Sequence, residues 1–223
     1  MPPPAPPPAG PGVVCLVLAG GTSRRFGGGD KTAAALGGTT VTGALVASLG
    51  ELPVVVVGPE AGGGPAAALA AGLARAGLAG AGDDAGADVV VALAGDLPFA
   101  GTAVPRLVAA LRAAPDDVDA ALGVDPGGRR QFLLAAYRAA PLRAALGAGP
   151  DAPAGSAADR SMRSVVAGLR VAEVPVTATE ALDVDTADDL ARARELASGP
   201  VPQSPAYCGP PGGALRRTRH RRP

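Results

Sequence analysis

Apolar positions along the chain come in short unbroken runs, separated by segments rich in Gly, Pro and charge. Val13 to Leu18 (VVCLVL) has no polar alternation and reads as a strand buried on both faces. The following AGGTSRRFGGGDK carries too much Gly and charge for a helix or a strand. Thr40 stands where a helix N-cap belongs, and Ala44, Leu45 and Leu49 are spaced to share one face of a helix ending near Leu49. Pro53 then introduces a second buried strand, Val54 to Val57. Gly58 to Gly64 is a second glycine loop, and Pro65, tolerated in a first helical turn, opens a helix to about Ala76. Ala79 to Ala87 reads as a flexible connection, and Asp88 to Ala94 as the third buried strand. That strand runs into Gly95, Asp96, Leu97 and Pro98, with a helix from about Thr102 to Ala113 beyond.

Strand, loop and helix thus recur three times, which predicts right-handed crossovers. The expected fold is α/β: three layers, a mainly parallel sheet with helices on both faces, Rossmann-like in plan. Asp119 to Val124 and Gln131 to Ala136 are two further strands, joined as a hairpin by Asp125-Pro126-Gly127-Gly128. Helices at Leu142 to Leu146 and Met162 to Leu169, a strand at Val171 to Val174 and a helix at Thr186 to Ala197 complete the pattern. One domain, residues 13–197, is therefore expected between a disordered Pro-rich segment, 1–12, and a disordered basic tail, 198–223.

Composition narrows the chemistry more than the fold. Apolar residues make up 48% and aromatics only 2%, with no Trp, so the core has to be built from Val, Leu and Ala. The formal net charge is zero, which gives no reason to expect nucleic acid or an anionic membrane as main partner of the folded part. Arg216 to Arg222 is locally basic, with five arginines and His220, and reads as a solvated end. No apolar run approaches the roughly 18 residues of a membrane span, and Met1 to Gly12 lacks the basic start and hydrophobic region of a signal peptide. Cys15 and Cys208 suit neither a disulfide nor a metal cluster, and a reducing cytoplasm fits them. His220 is the only histidine, so a catalytic triad or a histidine-ligated zinc has no histidine to use. Carboxylates, backbone amides, arginine, one lysine or a hard cation are left to do the chemistry.

A strand feeding a glycine loop gathers backbone N–H groups into a concavity that suits phosphate oxygens. A P-loop would need glycines where this chain has Arg25 and Asp30 ahead of Lys31-Thr32, and Arg24-Arg25-Phe26 fills the span where a dinucleotide fingerprint needs its glycine spacing. LAGGTSRRFGGGDK, Leu18 to Lys31, instead closely resembles the signature of the molybdenum cofactor guanylyltransferase family, within the superfamily of sugar-phosphate and cofactor nucleotidyltransferases. GGGPAAAL (Gly62 to Leu69), AGDLPF (Ala94 to Phe99), QFLLAAYR (Gln131 to Arg138) and DVDTADDLARA (Asp183 to Ala193) extend the resemblance over roughly residues 13 to 197.

That resemblance implies transfer of GMP from GTP to molybdopterin with Mg²⁺ and release of pyrophosphate, in transient contact with other proteins of molybdenum cofactor synthesis. It further implies that Leu18, Ala19, Gly20, Gly21, Thr22, Ser23, Arg25, Lys31, Gly64, Pro65 and Asp96 bind the nucleotide. Arg24, Lys31 and Asp96 are the expected catalytic residues, and Asp96 with Asp185 the expected metal ligands. Attack on an α-phosphate builds negative charge on oxygens, so placement and fixed positive charge do most of the work. Lys31 is the chain's only lysine, and it lies in this loop. Asp96 follows a buried strand, where a parallel sheet presents ligands to its crevice and a hard cation wants an oxygen ligand. Asp183 and Asp185 read equally as a second acidic site or as ordinary helix capping.

The chain departs from the family between Val57 and Gly64, where it lacks about a strand's worth of residues, and Glu60-Ala61 replaces an aspartate expected near the guanine. Base selectivity is open at this point. Cytidylyl transfer to molybdopterin, guanylyl transfer to a small phosphoacid, a nucleotide-binding protein without turnover, and a docking role for the basic tail are the alternatives.

Overall fold

The computed structural model describes residues 12–20, 31–78, 87–148 and 156–198, with Lys31 described for its backbone only. The expectations for residues 1–11, 21–30, 79–86 and 199–223 lie outside the described residues. In chain order the elements are β1 (Val13–Leu18), β2 (Ala35–Leu36), β3 (Thr39–Thr40), α1 (Val41–Ser48), β4 (Val54–Val57) and α2 (Gly64–Arg75). They continue with β5 (Val89–Ala94), α3 (Val104–Ala113), β6 (Ala120–Val124), β7 (Arg130–Arg138), α4 (Ala139–Leu146), α5 (Met162–Val166), β8 (Val171–Pro175) and α6 (Ala187–Ser198).

Six strands form one sheet in the order β4-β1-β5-β7-β6-β8. β1 pairs in parallel with β4 and β5, and β6 in parallel with β8, while β7 runs antiparallel to both of its neighbours. Alternating residues of the strands feed two separate cores. Cys15, Val17, Val91 and Leu93 pack against Leu45 and Leu49 of α1 and Leu107 and Leu111 of α3. Leu16, Leu18, Val90 and Ala92 pack on the other face against Leu69 and Leu73 of α2, Leu142 of α4 and Val165 of α5. Each interior leucine contributes about 2–5 kcal/mol against truncation to Ala. The three-layer, mainly parallel α/β arrangement predicted from the run pattern is the arrangement present.

Local chemistry accounts for most of the boundaries. The Thr40 hydroxyl accepts the Gly43 N–H at 2.9 Å and starts α1, and Pro65 lies in the first turn of α2. Leu45 and Leu49 share one core as expected, but Ala44 turns aside to a third, smaller cluster formed by Leu36, Val41, Leu182, Val184 and Leu190. The Thr102 helix begins instead as a 3-10 turn over Ala100–Ala103, with α3 proper starting at Val104. The short β2–β3 hairpin was not expected. Two polar threonines and two residues per strand give no alternation to read, and the turn itself rests on Gly37 and Gly38 at positive φ.

β7 carries a bulge. Leu122 pairs with Ala135, yet the next residue, Gly123, pairs with Gln131, which leaves Phe132, Leu133 and Leu134 opposite no residue of β6. Leu134 packs on the α1–α3 face, while Phe132 and Leu133 both turn to the α2–α4–α5 face. The buried Tyr137 hydroxyl donates to the Phe132 carbonyl at 2.7 Å, tying the bulge to its own strand.

Candidate active site

Leu18, Val57 and Ala94 end β1, β4 and β5 and are register partners across the sheet, Leu18 with both of the others. All three line one open cleft of about 480 Å³. Ligands of an open parallel sheet sit outside the carboxyl ends of its strands. Four segments complete the walls: Gly20 and Thr32 around the loop after β1, the 58–65 loop between β4 and α2, Asp96 after β5, and Leu133 from the bulge of β7.

Glycines shape the cleft and the strand exits behind it. A Cβ on Gly95 would lie 2.9 Å from the Leu18 carbonyl oxygen and 3.0 Å from the Ala19 Cα, so any side chain there would push the exits of β1 and β5 apart. With glycine in place, the Gly95 N–H donates to the Leu18 carbonyl at 2.9 Å, and the Thr42 hydroxyl donates to the Gly95 carbonyl at 2.8 Å. Along the opposite rim Gly62, Gly63 and Gly64 all have positive φ, between 58° and 81°. Three such residues in a row are accessible only to glycine without strain, and they turn the chain so that α2 begins at the cleft. The N-cap of α2 is Gly63, which has no side chain to offer, and Pro65 has no N–H, so Gly64 presents the helix's first amide at the rim.

Of the residues expected to bind nucleotide, Leu18, Gly20, Gly64, Pro65 and Asp96 line the cleft. Ala19 adjoins it, but its N–H donates to the Val57 carbonyl at 2.8 Å and belongs to the sheet edge. Gly21, Thr22, Ser23, Arg24 and Arg25 lie outside the described residues. The Lys31 backbone opens a 3-10 turn, Lys31–Ala33, whose next residue, Thr32, lines the cleft and is buried. Thr32 and Leu133 are cleft residues that sequence reasoning did not single out. Thr32 was within reach, as a polar residue directly after Lys31 ahead of an apolar stretch. Leu133 faces the cleft through the bulge, which leaves no mark in the residue pattern.

The acidic residues gather at one corner. The Val184 N–H donates to the Asp96 carbonyl at 3.0 Å, which brings Asp183 and Asp185 beside the end of β5. The capping alternative resolves onto a different residue. Asp189 accepts the Thr186 N–H at 2.9 Å and the Thr186 hydroxyl at 2.7 Å, while Thr186 accepts the Asp189 N–H in return, a reciprocal box at the start of α6. Partial desolvation, and then the charges of Asp185, Asp96 and Asp189, raise the Asp183 carboxyl above its ordinary value, although the residue itself is exposed. Among the described residues no group of three or more side chains is placed to hold a metal by itself. Mg²⁺ needs only one or two carboxylates when substrate phosphates and water complete its shell, and the mutual repulsion at this corner is what such a cation would relieve. The donor set therefore fits a metal shared with a triphosphate.

Glu180 positions that corner. Its carboxylate is buried and accepts from the Thr102 hydroxyl, both Arg106 terminal nitrogens and the Thr177 N–H and hydroxyl, at 2.8–3.1 Å. Burial alone would raise its pKa, but these donors, Arg106 foremost, hold it below the ordinary value. The turn ahead of Asp183 is thereby clamped to the start of α3. Cys15, at the centre of β1, has no part in the site, and its burial pushes the thiol up to about 12.

Three parallel-strand exits, a glycine rim leading into a helix and an acidic corner define a nucleotide-handling α/β protein. The sequence model of the MobA-like NTP transferase domain matches residues 15–61 and 51–174. The chain belongs to that family, and the family is one of nucleotidyltransferases. None of the curated proteins matches the chain. Among solved structures, the molybdopterin-guanine dinucleotide biosynthesis protein A of Archaeoglobus fulgidus is 21% identical with a TM-score of 0.55, over 83% of this chain and 98% of its own. Rv0371c of Mycobacterium tuberculosis is 23% identical with a TM-score of 0.56, over 82% and 98%, and has also been solved as a manganese complex. A CMP:2-keto-3-deoxy-manno-octonic acid synthetase complexed with CTP is 14% identical with a TM-score of 0.57, over 82% and 97%. At these identities the likeness is one of fold. Among the described residues no helix is long and apolar enough to cross a membrane.

Proposed function

We propose that residues 13–197 form a Mg²⁺-dependent guanylyltransferase that moves GMP from GTP to the phosphate of molybdopterin. An acceptor phosphate oxygen attacks the α-phosphorus of GTP, a new P–O–P link forms, the bond between the α-phosphorus and its bridging oxygen breaks, and pyrophosphate leaves. The observation that carries the reading is the joint lining of one cleft by the exits of β1, β4 and β5, the glycine rim and Asp96. Backbone amides of the loop after β1 and of Gly64 hold phosphate oxygens, Pro65, which has no N–H, shapes the rim, and Lys31 with Arg24 supplies the fixed positive charge that offsets charge growing on the leaving group. Asp96 and Asp185 would hold the metal, which when bound contributes Lewis-acid stabilisation of the phosphates. The relative from Archaeoglobus fulgidus and the manganese complex of Rv0371c support, respectively, the choice of reaction and of a divalent ion.

Transfer of label from [α-³²P]GTP to molybdopterin with Mg²⁺ tests the reading. Wild type should form the labelled dinucleotide, and Lys31→Ala should lower the rate at least ~100-fold. Equal rates in the two proteins, or no product with GTP, would refute it.

A second reading, in which the base is not guanine, is favoured by one observation. Glu60 stands where the family's aspartate is expected, but its carboxylate accepts from the Arg75 guanidinium at 2.9 Å and from the Gly58 N–H at 3.3 Å, and its side chain does not line the cleft. The same label experiment run with CTP in place of GTP separates the two: faster transfer from CTP makes the chain a cytidylyltransferase.

A further inference from the structure

A second cavity, of about 630 Å³, opens on the same α2–α4–α5 face of the sheet, on the far side of the β7 bulge from the cleft. Consecutive residues divide the two spaces, with Leu133 lining the cleft and Phe132 lining the second cavity. The second lining combines three arginines, Arg129, Arg130 and Arg163, with an apolar floor of Phe132, Val166 and Leu169. No residue assigned above to nucleotide, metal or catalysis belongs to it.

The arginines are prepared in different ways. Arg129 gives its Nε to Asp125 at 3.2 Å, and Arg130 gives its Nε to Glu173 at 2.7 Å. Each carboxylate takes the Nε edge of the fork, fixing its direction while the terminal nitrogens stay available for another acceptor. Asp125 also accepts the Gly127 and Arg129 N–H groups and the Gln131 side-chain amide, so its charge is absorbed by the hairpin turn. Arg163, exposed on α5, has no partner among the described residues. Three guanidinium groups against two carboxylates leave the groove with one uncompensated positive charge, and its volume is within the range of small-molecule sites.

We propose that this groove binds a small organic phosphate, its phosphoryl oxygens on Arg163 and the terminal nitrogens of Arg129 and Arg130 and its ring on Phe132, Val166 and Leu169. A bare anion would leave the apolar floor wet, and a neutral ring would leave the arginines without an acceptor, so the lining selects a molecule that has both. The proposal is independent of the guanylyl reading, since it shares no ligand-contacting residue with the cleft.

Phenyl phosphate is the probe, titrated calorimetrically into the full chain, with phenol and inorganic phosphate titrated separately. Phenyl phosphate should saturate one site and bind at least ~10-fold more tightly than either fragment, as expected when charge-assisted hydrogen bonds and apolar burial act together. Arg163→Ala should weaken it about 10-fold and Arg163→Glu more, with GTP affinity unchanged in both; Arg163 is exposed, so neither variant disturbs packing. Unaltered phenyl phosphate binding in both variants, displacement by GTP, or a fragment binding as tightly as phenyl phosphate would overturn the proposal. A failure of GTP to bind would refute the guanylyl reading and leave this result standing.

Discussion

Replacing Glu180 tests how the acidic corner is held. The side chain is only 7% exposed, and removing one member of a buried ion pair costs about 3–5 kcal/mol in general. Arg106, however, is 36% exposed and regains water once Glu180 is gone, so Glu180→Ala should cost less, about 2–3 kcal/mol at pH 7. Glu180→Gln keeps the shape and one acceptor oxygen, and about 1–2 kcal/mol is expected, because its amide nitrogen must face donors. Protonation adds a sharper signature. The folded pKa of Glu180 is below its ordinary value of 4.5, so its contribution is fully present above that pH and is lost as pH falls through the folded pKa. Urea unfolding of wild type and Glu180→Gln from pH 7 down to pH 3 should therefore show a stability difference that is constant above about pH 5 and shrinks below it, at up to ~1.4 kcal/mol per pH unit. A difference that stays the same across the whole range would refute the reasoning, since it would mean that the carboxylate's charge is not what Arg106 and the two threonines hold.

Three further substitutions probe other joints. Gly95→Ala places a methyl group against the backbone of Leu18 and Ala19, which cannot move aside as a side chain would; about 1–3 kcal/mol of stability and a weakened GTP-induced rise in melting temperature are expected, and an unchanged melting curve would contradict the packing described. Tyr137→Phe leaves the Phe132 carbonyl without its 2.7 Å donor and should cost about 1–2 kcal/mol in urea unfolding, against a null change if the bulge holds itself. Asp183→Asn removes one of the clustered carboxylates, so the melting temperature in EDTA should rise while the increment gained from Mg²⁺ with GTP falls; a lower melting temperature in EDTA would show that the acidic corner is not under repulsion.

The sheet was legible because its first strands are unbroken apolar runs: β1 and β5 are buried on both faces, whereas β4, expected to be buried, lies at the sheet edge with Val56 45% exposed. VVCLVL, VVVV and VVVALA have no alternation to disguise them, and each ends in a glycine loop whose purpose is local. Thr40 and Pro65 marked helix starts for the same reason, since capping and first-turn proline act within one turn of chain. What could not be read depended on residues distant in sequence. Ala44 left the face shared by Leu45 and Leu49 because Leu36 and Val184 cover it from elsewhere. The Phe132–Leu134 bulge is a register shift within the β6–β7 pairing, at the end of the stretch of β7 that β5 also pairs, and depends on which strands become neighbours. Glu180 looked like any charged residue until the fold placed Arg106 and Thr102 against it. The cleft was half legible: Asp96 follows from its place after a buried strand and Gly64 and Pro65 from the family resemblance, whereas Leu133 reaches the cleft only through the bulge.

The most direct test of the account is a crystal structure of the full chain with a non-hydrolysable GTP analogue and Mg²⁺. The account predicts a triphosphate lying across the exits of β1, β4 and β5, with the Gly64 N–H on its oxygens and the metal touching Asp96. Nucleotide bound anywhere else on the chain, or a metal held without Asp96, would contradict it.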